Sequence, residues 1–115
     1  MKKMGFMVFL SLLVILMLGG VGAQQKKETV TVYHVALTDS DNYNYGVNFF
    51  VDSTVNGRVY VTATITSQEN VNGDVISGPA LLRPNEKRFR VGSFICKDQS
   101  KAWSVEIDVK WQHAD

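Results

Sequence analysis

One cysteine, Cys96, and two histidines, His34 and His113, are the chain's only candidates for thiolate or imidazole chemistry. A nucleophilic cysteine needs an imidazole held beside it, and here the three residues are far apart in sequence. Nothing flanking Cys96 marks a lowered thiol pKa. Next to Ile95 it reads as a small apolar side chain under a sheet. The same three residues are too few and too scattered for a zinc site. Asp39, Asp41, Asn42 and Asn44 crowd oxygen ligands into one loop, which is calcium chemistry. That loop lacks the glycine and terminal glutamate of an EF-hand, and Asp and Asn cap their own turns.

Glu106 and Asp108 share one strand parity with Lys110, an arrangement that keeps an exposed sheet soluble. Arg83, Lys87, Arg88 and Arg90 form a basic cluster around a turn, suited to an anionic partner or a solvated face. No glycine-rich phosphate loop or serine elbow is present. The sequence therefore reads as non-enzymatic, with no cofactor and no metal. The candidate partner-contact residues are Tyr43, Tyr45, Phe50, Arg83, Arg88, Arg90 and Trp111.

The elements that must position these residues are strands. Val59, Val61, Ala63 and Ile65 alternate with Tyr60, Thr62, Thr64 and Thr66, the period of a strand buried on one face. Trp103, Val105, Ile107, Val109 and Trp111 form an apolar row against Ser104, Glu106, Asp108 and Lys110. From Thr29 to Leu37 the apolar parity changes, which predicts a β-bulge near Tyr33-His34 or a strand that switches sheets. Tyr45–Val51 places Tyr45, Val47, Phe49 and Val51 inward, with Phe50 as the exception. Arg88–Phe94 sets Phe89, Val91 and Ser93 against Arg88, Arg90 and Phe94. Ala80–Leu82, just before Pro84, reads as a short edge strand.

Asn56-Gly57 reads as a tight hairpin turn and Asn72-Gly73-Asp74 as another turn. Six or seven short antiparallel strands and no helical periodicity predict an all-β, immunoglobulin-like sandwich.

The chain has 115 residues. Met1-Lys2-Lys3, an apolar run from Phe6 to Leu18 and small residues ending at Ala23 have the layout of a cleaved signal peptide. Residues 24–115 then form one domain, with ten basic and eleven acidic residues and a formal charge of −1. Near-neutral charge argues against nucleic-acid binding. A single cysteine excludes an internal disulfide, so packing must stabilise this small domain alone. The expected location is extracytoplasmic, periplasmic or secreted, with no stable membrane insertion after cleavage.

Across Glu69–Asp115 an ordered series appears: Glu69-Asn70-Val71, Leu81-Leu82-Arg83-Pro84, Val91-Gly92-Ser93-Phe94, and Asp98-Gln99-Ser100-Lys101-Ala102-Trp103 leading to Trp111. This series resembles the immunoglobulin-like accessory module at the N-terminus of bacterial exported peptidoglycan peptidases of the lysostaphin-like class. In that family the zinc ligands lie downstream of the module. The resemblance implies a free-standing accessory sandwich without the enzyme. The function expected is a non-catalytic bacterial binding module for an exported protein or cell-envelope polymer. The alternatives are a small extracytoplasmic chaperone or inhibitor acting through a sheet edge, and a Cys96-dependent hydrolase.

Overall fold

The computed structural model describes residues 27–115; the signal peptide expected over residues 1–23 lies outside the described residues. Seven strands follow in order: β1 (Val30–Thr38), β2 (Asn44–Ser53), β3 (Val59–Glu69), β4 (Val71–Val75), β5 (Ala80–Leu82), β6 (Phe89–Cys96) and β7 (Ser104–His113). They form a four-stranded sheet, β1-β2-β6-β4, and a three-stranded sheet, β5-β3-β7. Every pairing is antiparallel, and the described residues contain no helix.

One core lies between the two sheets. Val47, Phe49 and Val51 of β2 and Val91 and Phe94 of β6 meet Val59 and Val61 of β3, Leu82 of β5, and Val105 and Ile107 of β7. Each such side chain contributes on the order of 1.5–3 kcal/mol by leaving water. Trp103, just before β7, is the largest fully buried side chain. Its indole N–H finds no acceptor among the described residues.

Four local expectations are corrected. The predicted bulge at Tyr33-His34 does not form: β1 pairs with β2 without a slip from Val30 to Leu37, and the shift comes only between Leu37 and Thr38. Tyr33, Val35 and Leu37 therefore stay on the outer face, opposite in parity to Val30 and Val32.

The bulge lies instead in β6. Phe49 pairs with Gly92 but Phe50 with Arg90, so Val91 is the extra residue. An extra residue flips the side-chain parity beyond it. Phe94, expected outside, is consequently fully buried.

Asn72-Gly73-Asp74 is not a turn but the middle of β4. A Cβ at Gly73 would collide with the Ser93 carbonyl oxygen and lie 2.6 Å from Phe94 Cα. Glycine is there because two strands approach closely. Likewise Asn56-Gly57 is no tight hairpin, because β2 and β3 belong to different sheets. Ser53, fully buried at this crossing, is satisfied by its neighbours. Its N–H donates to the Glu86 carbonyl at 2.8 Å, its Oγ accepts from Val55 N–H at 3.0 Å, and its carbonyl accepts from Lys87 Nζ at 2.6 Å.

Candidate functional site

The outer face of the four-stranded sheet is where candidate residues converge. Because β1 and β2 stay in register, Tyr33 lies opposite Phe50 and Val35 opposite Asn48. The Tyr33 and Phe50 rings stack with centroids 5.6 Å apart and planes 22° apart. On the other side, the Arg88 guanidinium sits 5.0 Å from the Phe50 ring centre, within cation–π range. Arg88 reaches that position from a backbone with φ 55°, unfavourable for a side chain of its kind. Its N–H donates to Asp52 Oδ1 at 2.8 Å, which holds the turn. Arg90, opposite Phe50 on β6, adds a second exposed cation.

The surface changes character along the strands. Ser93 Oγ and Asn48 Oδ1, 2.7 Å apart, make a polar row. Beyond it Leu37, Gly46 and Ile95 lie in one row. A Cβ on Gly46 would come within 3.2 Å of both Leu37 and Ile95, so the aliphatic groups close over the glycine. Ile95 is 42% exposed and Val35 is 40% exposed. An aromatic and basic end thus passes through a polar centre to an aliphatic end.

β1 forms the border of this face, and its outer edge distinguishes it from the other three. Over Val30–Thr38 it carries no charged residue, no proline and no glycine. Among the described residues, β2 is the only strand that pairs with it. The phase of its ladder follows from one bond at its start, where Thr54 N–H donates to the Thr29 carbonyl at 2.9 Å. Antiparallel pairs alternate, so Thr31, Tyr33, Val35 and Leu37 point their backbone groups at β2, while Val32, His34 and Ala36 point theirs outward. The other edges are protected in recognised ways. The β7 edge carries Glu106, Asp108 and Lys110. β4 is five residues long and carries Asp74, and β5 is three residues long between Pro79 and Pro84.

The remaining contact candidates lie elsewhere. Arg83 is engaged in its own turn, with Nη2 3.5 Å from Glu86 Oε2 and its N–H donating to Glu86 Oε1 at 2.8 Å. Tyr45 is half-buried at the β1–β2 register shift, as the β2 residue left over between the Leu37–Gly46 and Thr38–Asn44 pairs. The Tyr43 hydroxyl donates to the Gln99 carbonyl at 3.4 Å. Loss of solvent, and then the neighbouring Cys96 thiol, push its pKa up. Trp111 is half-buried on the three-stranded sheet with its ring 5.3 Å from His113. It borders an open groove of about 290 Å³ with Tyr60, Thr62, Pro79, Lys110 and Gln112.

The residues weighed for catalysis and metals are also dispersed. His34 faces Phe49, with ring centroids 6.3 Å apart, and burial lowers its pKa. Phe49 pairs with Gly92, and Cys96 lies four residues further along β6, about 13 Å at the usual rise per residue. His113 stands 3.1 Å from Glu28 instead. Asp39 Oδ1 accepts the N–H groups of Asp41 and Tyr43 at 2.8 and 3.0 Å, so it caps its own loop. No group of three or more ligating side chains gathers among the described residues.

The sequence reading missed Tyr33, Val35, Leu37 and Ile95. The signal for the first three was the apolar parity change in β1, which marked an apolar outer face rather than a bulge. No known family model, curated protein or solved structure matches this chain.

Proposed function

We propose that this chain is a non-catalytic, exported binding module that accepts a strand of a protein partner along β1. The single observation carrying this reading is the contrast among the four edges. Three are short or charged, and the fourth is nine residues long, uncharged and rich in β-branched residues. Edges of that kind are normally covered or disarmed, and strand addition is an established mode of peptide recognition. The exposed Val35 and the half-buried Tyr33 and Leu37 side chains border the place where the incoming strand lies and select its residues. The same edge favours the second reading, an extracytoplasmic assembly factor that occupies a strand-accepting partner.

We infer an immunoglobulin-like type for the sandwich. The order β1-β2-β6-β4 parallels the four-stranded sheet of that fold. The chain departs from it in placing the short β5 beside β3, and among the described residues no strand follows β7. Export rests on the leader-like N-terminus, and the resemblance to peptidase accessory modules over Glu69–Asp115 is consistent with a role in the cell envelope.

A photo-reactive residue placed at Val35, with a control at the exposed Thr64 on the other sheet, tests the reading in the native extracytoplasmic fraction. Protein adducts from position 35 and none from 64 are expected. Equal labelling, or no adduct at 35, would contradict it.

A further inference from the structure

We propose that the β1 edge pairs with the β1 edge of a second copy, antiparallel about a twofold axis at His34, and joins two four-stranded sheets into one of eight strands. This rests on the strand-accepting reading above and names one occupant for that edge.

His34 is the midpoint of Val30–Thr38. A twofold there uses the whole strand and places Val32 opposite Ala36 of the other copy. Val32, His34 and Ala36 all direct their backbone groups outward, so the two Val32–Ala36 pairs and the His34–His34 pair on the axis exchange about six ladder hydrogen bonds. The side chains are self-complementary on both faces. On the outer face Tyr33 meets Val35 of the other copy, twice, an aromatic and β-branched pairing that stabilises antiparallel sheets. Each such pair continues the Tyr33–Phe50 stack, so the row reads Phe50, Tyr33, Val35, Asn48 across the axis. Thr31 meets Leu37. On the inner face Val32 meets Ala36, which extends the buried row that Val51 and Val47 begin in each copy.

The axis sets the two His34 side chains against each other on the inner face. Above about pH 6.5 His34 is neutral, and no other residue of β1 is ionisable in that range, so no like charges meet. A symmetric contact of this kind closes on itself and consumes the edge. Val35, 40% exposed, and Ala36, exposed on the inner face, are the apolar groups that the pairing covers. They also explain why an unguarded edge is tolerated at all.

Sedimentation of the purified protein under reducing conditions tests this, with Val35→Lys and Thr64→Lys as variants. A reversible dimer is expected, and Val35→Lys should weaken it by at least about tenfold because the substitution acts twice at the axis. Thr64→Lys should leave it unchanged. Amide exchange on the unmodified protein gives a second readout that no variant can confound. Val32 and Ala36 should slow as concentration rises, while Tyr33 and Val35, already bonded to β2, should not. A monomer up to about 1 mM, or a dimer indifferent to Val35→Lys, would overturn the proposal. A monomer that still cross-links a host protein through position 35 would overturn this pairing alone and leave the strand-accepting reading in place.

Discussion

The carboxamide of Asn70 clasps the backbone of Asp98 from both sides: its Oδ1 accepts the Asp98 N–H at 3.0 Å and its Nδ2 donates to the Asp98 carbonyl at 2.9 Å. Nδ2 also reaches the carbonyls of Lys101 and Ala102, each at 3.2 Å. Asn70 is the single residue between β3 and β4, so the chain changes sheets at this point. Its φ of 58° turns the chain, and asparagine tolerates that region better than most residues. One side chain therefore locks the sheet crossing to the loop that delivers Trp103.

Asn70→Ala should cost about 2 kcal/mol or more, because it removes several hydrogen bonds and leaves a β-carbon residue in the left-handed region. Asn70→Gly keeps the backbone relaxed and loses only the bonds, so it should cost less. Urea denaturation of the pair separates the two contributions. Equal stability of Asn70→Ala and the parent would show that the clasp is ornamental.

Two glycines with positive φ should respond differently. Gly73→Ala drives a methyl into the Ser93 carbonyl across the β4–β6 pair, where only backbone can yield, and should cost about 3 kcal/mol or more. Gly78, φ 75°, has nothing within 4 Å of its missing Cβ. Gly78→Ala should therefore cost only the conformational term, about 1–2 kcal/mol. Thermal denaturation of both variants checks the ordering.

Trp103→Ala should lose about 3–5 kcal/mol through the cavity it leaves. Trp103→Phe should cost distinctly less than Trp103→Ala, since it keeps most of the apolar contact and removes an N–H that has no partner among the described residues. Thr62→Ala, exposed on the outer face of β3, should change stability by no more than about 0.5 kcal/mol. Chemical denaturation of the three variants supplies the comparison.

Burial lowers the His34 pKa below its usual 6.5. The unfolded chain then binds the proton more readily than the folded one, so this contribution to stability is present above about pH 6.5 and is lost as pH falls below it. The folding free energy should fall between pH 7.5 and 5.5, and His34→Gln should flatten that fall. An unchanged pH slope in His34→Gln would remove the assignment.

Strands with one clean polar face were legible from the sequence. In β3 and β7 the alternation of Val, Ala and Ile with Thr, Glu and Asp matches the burial. Where both faces of a strand are apolar, parity carries no direction. Val30 and Val32 with Tyr33, Val35 and Leu37 therefore suggested a bulge in β1, although the strand runs straight and exposes its second row. The bulge at Val91 has no marker beyond a neighbouring glycine, so the parity of Phe89 and Val91 predicts the wrong face for Phe94. β4 was hidden because Asn-Gly-Asp has turn composition, and only the approach of β6 shows that its glycine serves a strand. Of the site, Phe50, Arg88 and Arg90 were named from residue type. Tyr33 and the aliphatic end required the β1–β2 register.

Among the described residues β1 bonds β2 along one side and leaves the other side open, and amide exchange in the dilute protein reads that alternation directly. Tyr33 and Val35 should exchange slowly and Val32 and Ala36 quickly, with the fast pair becoming protected when a strand is added. Equal protection of all four amides in the dilute protein would contradict it.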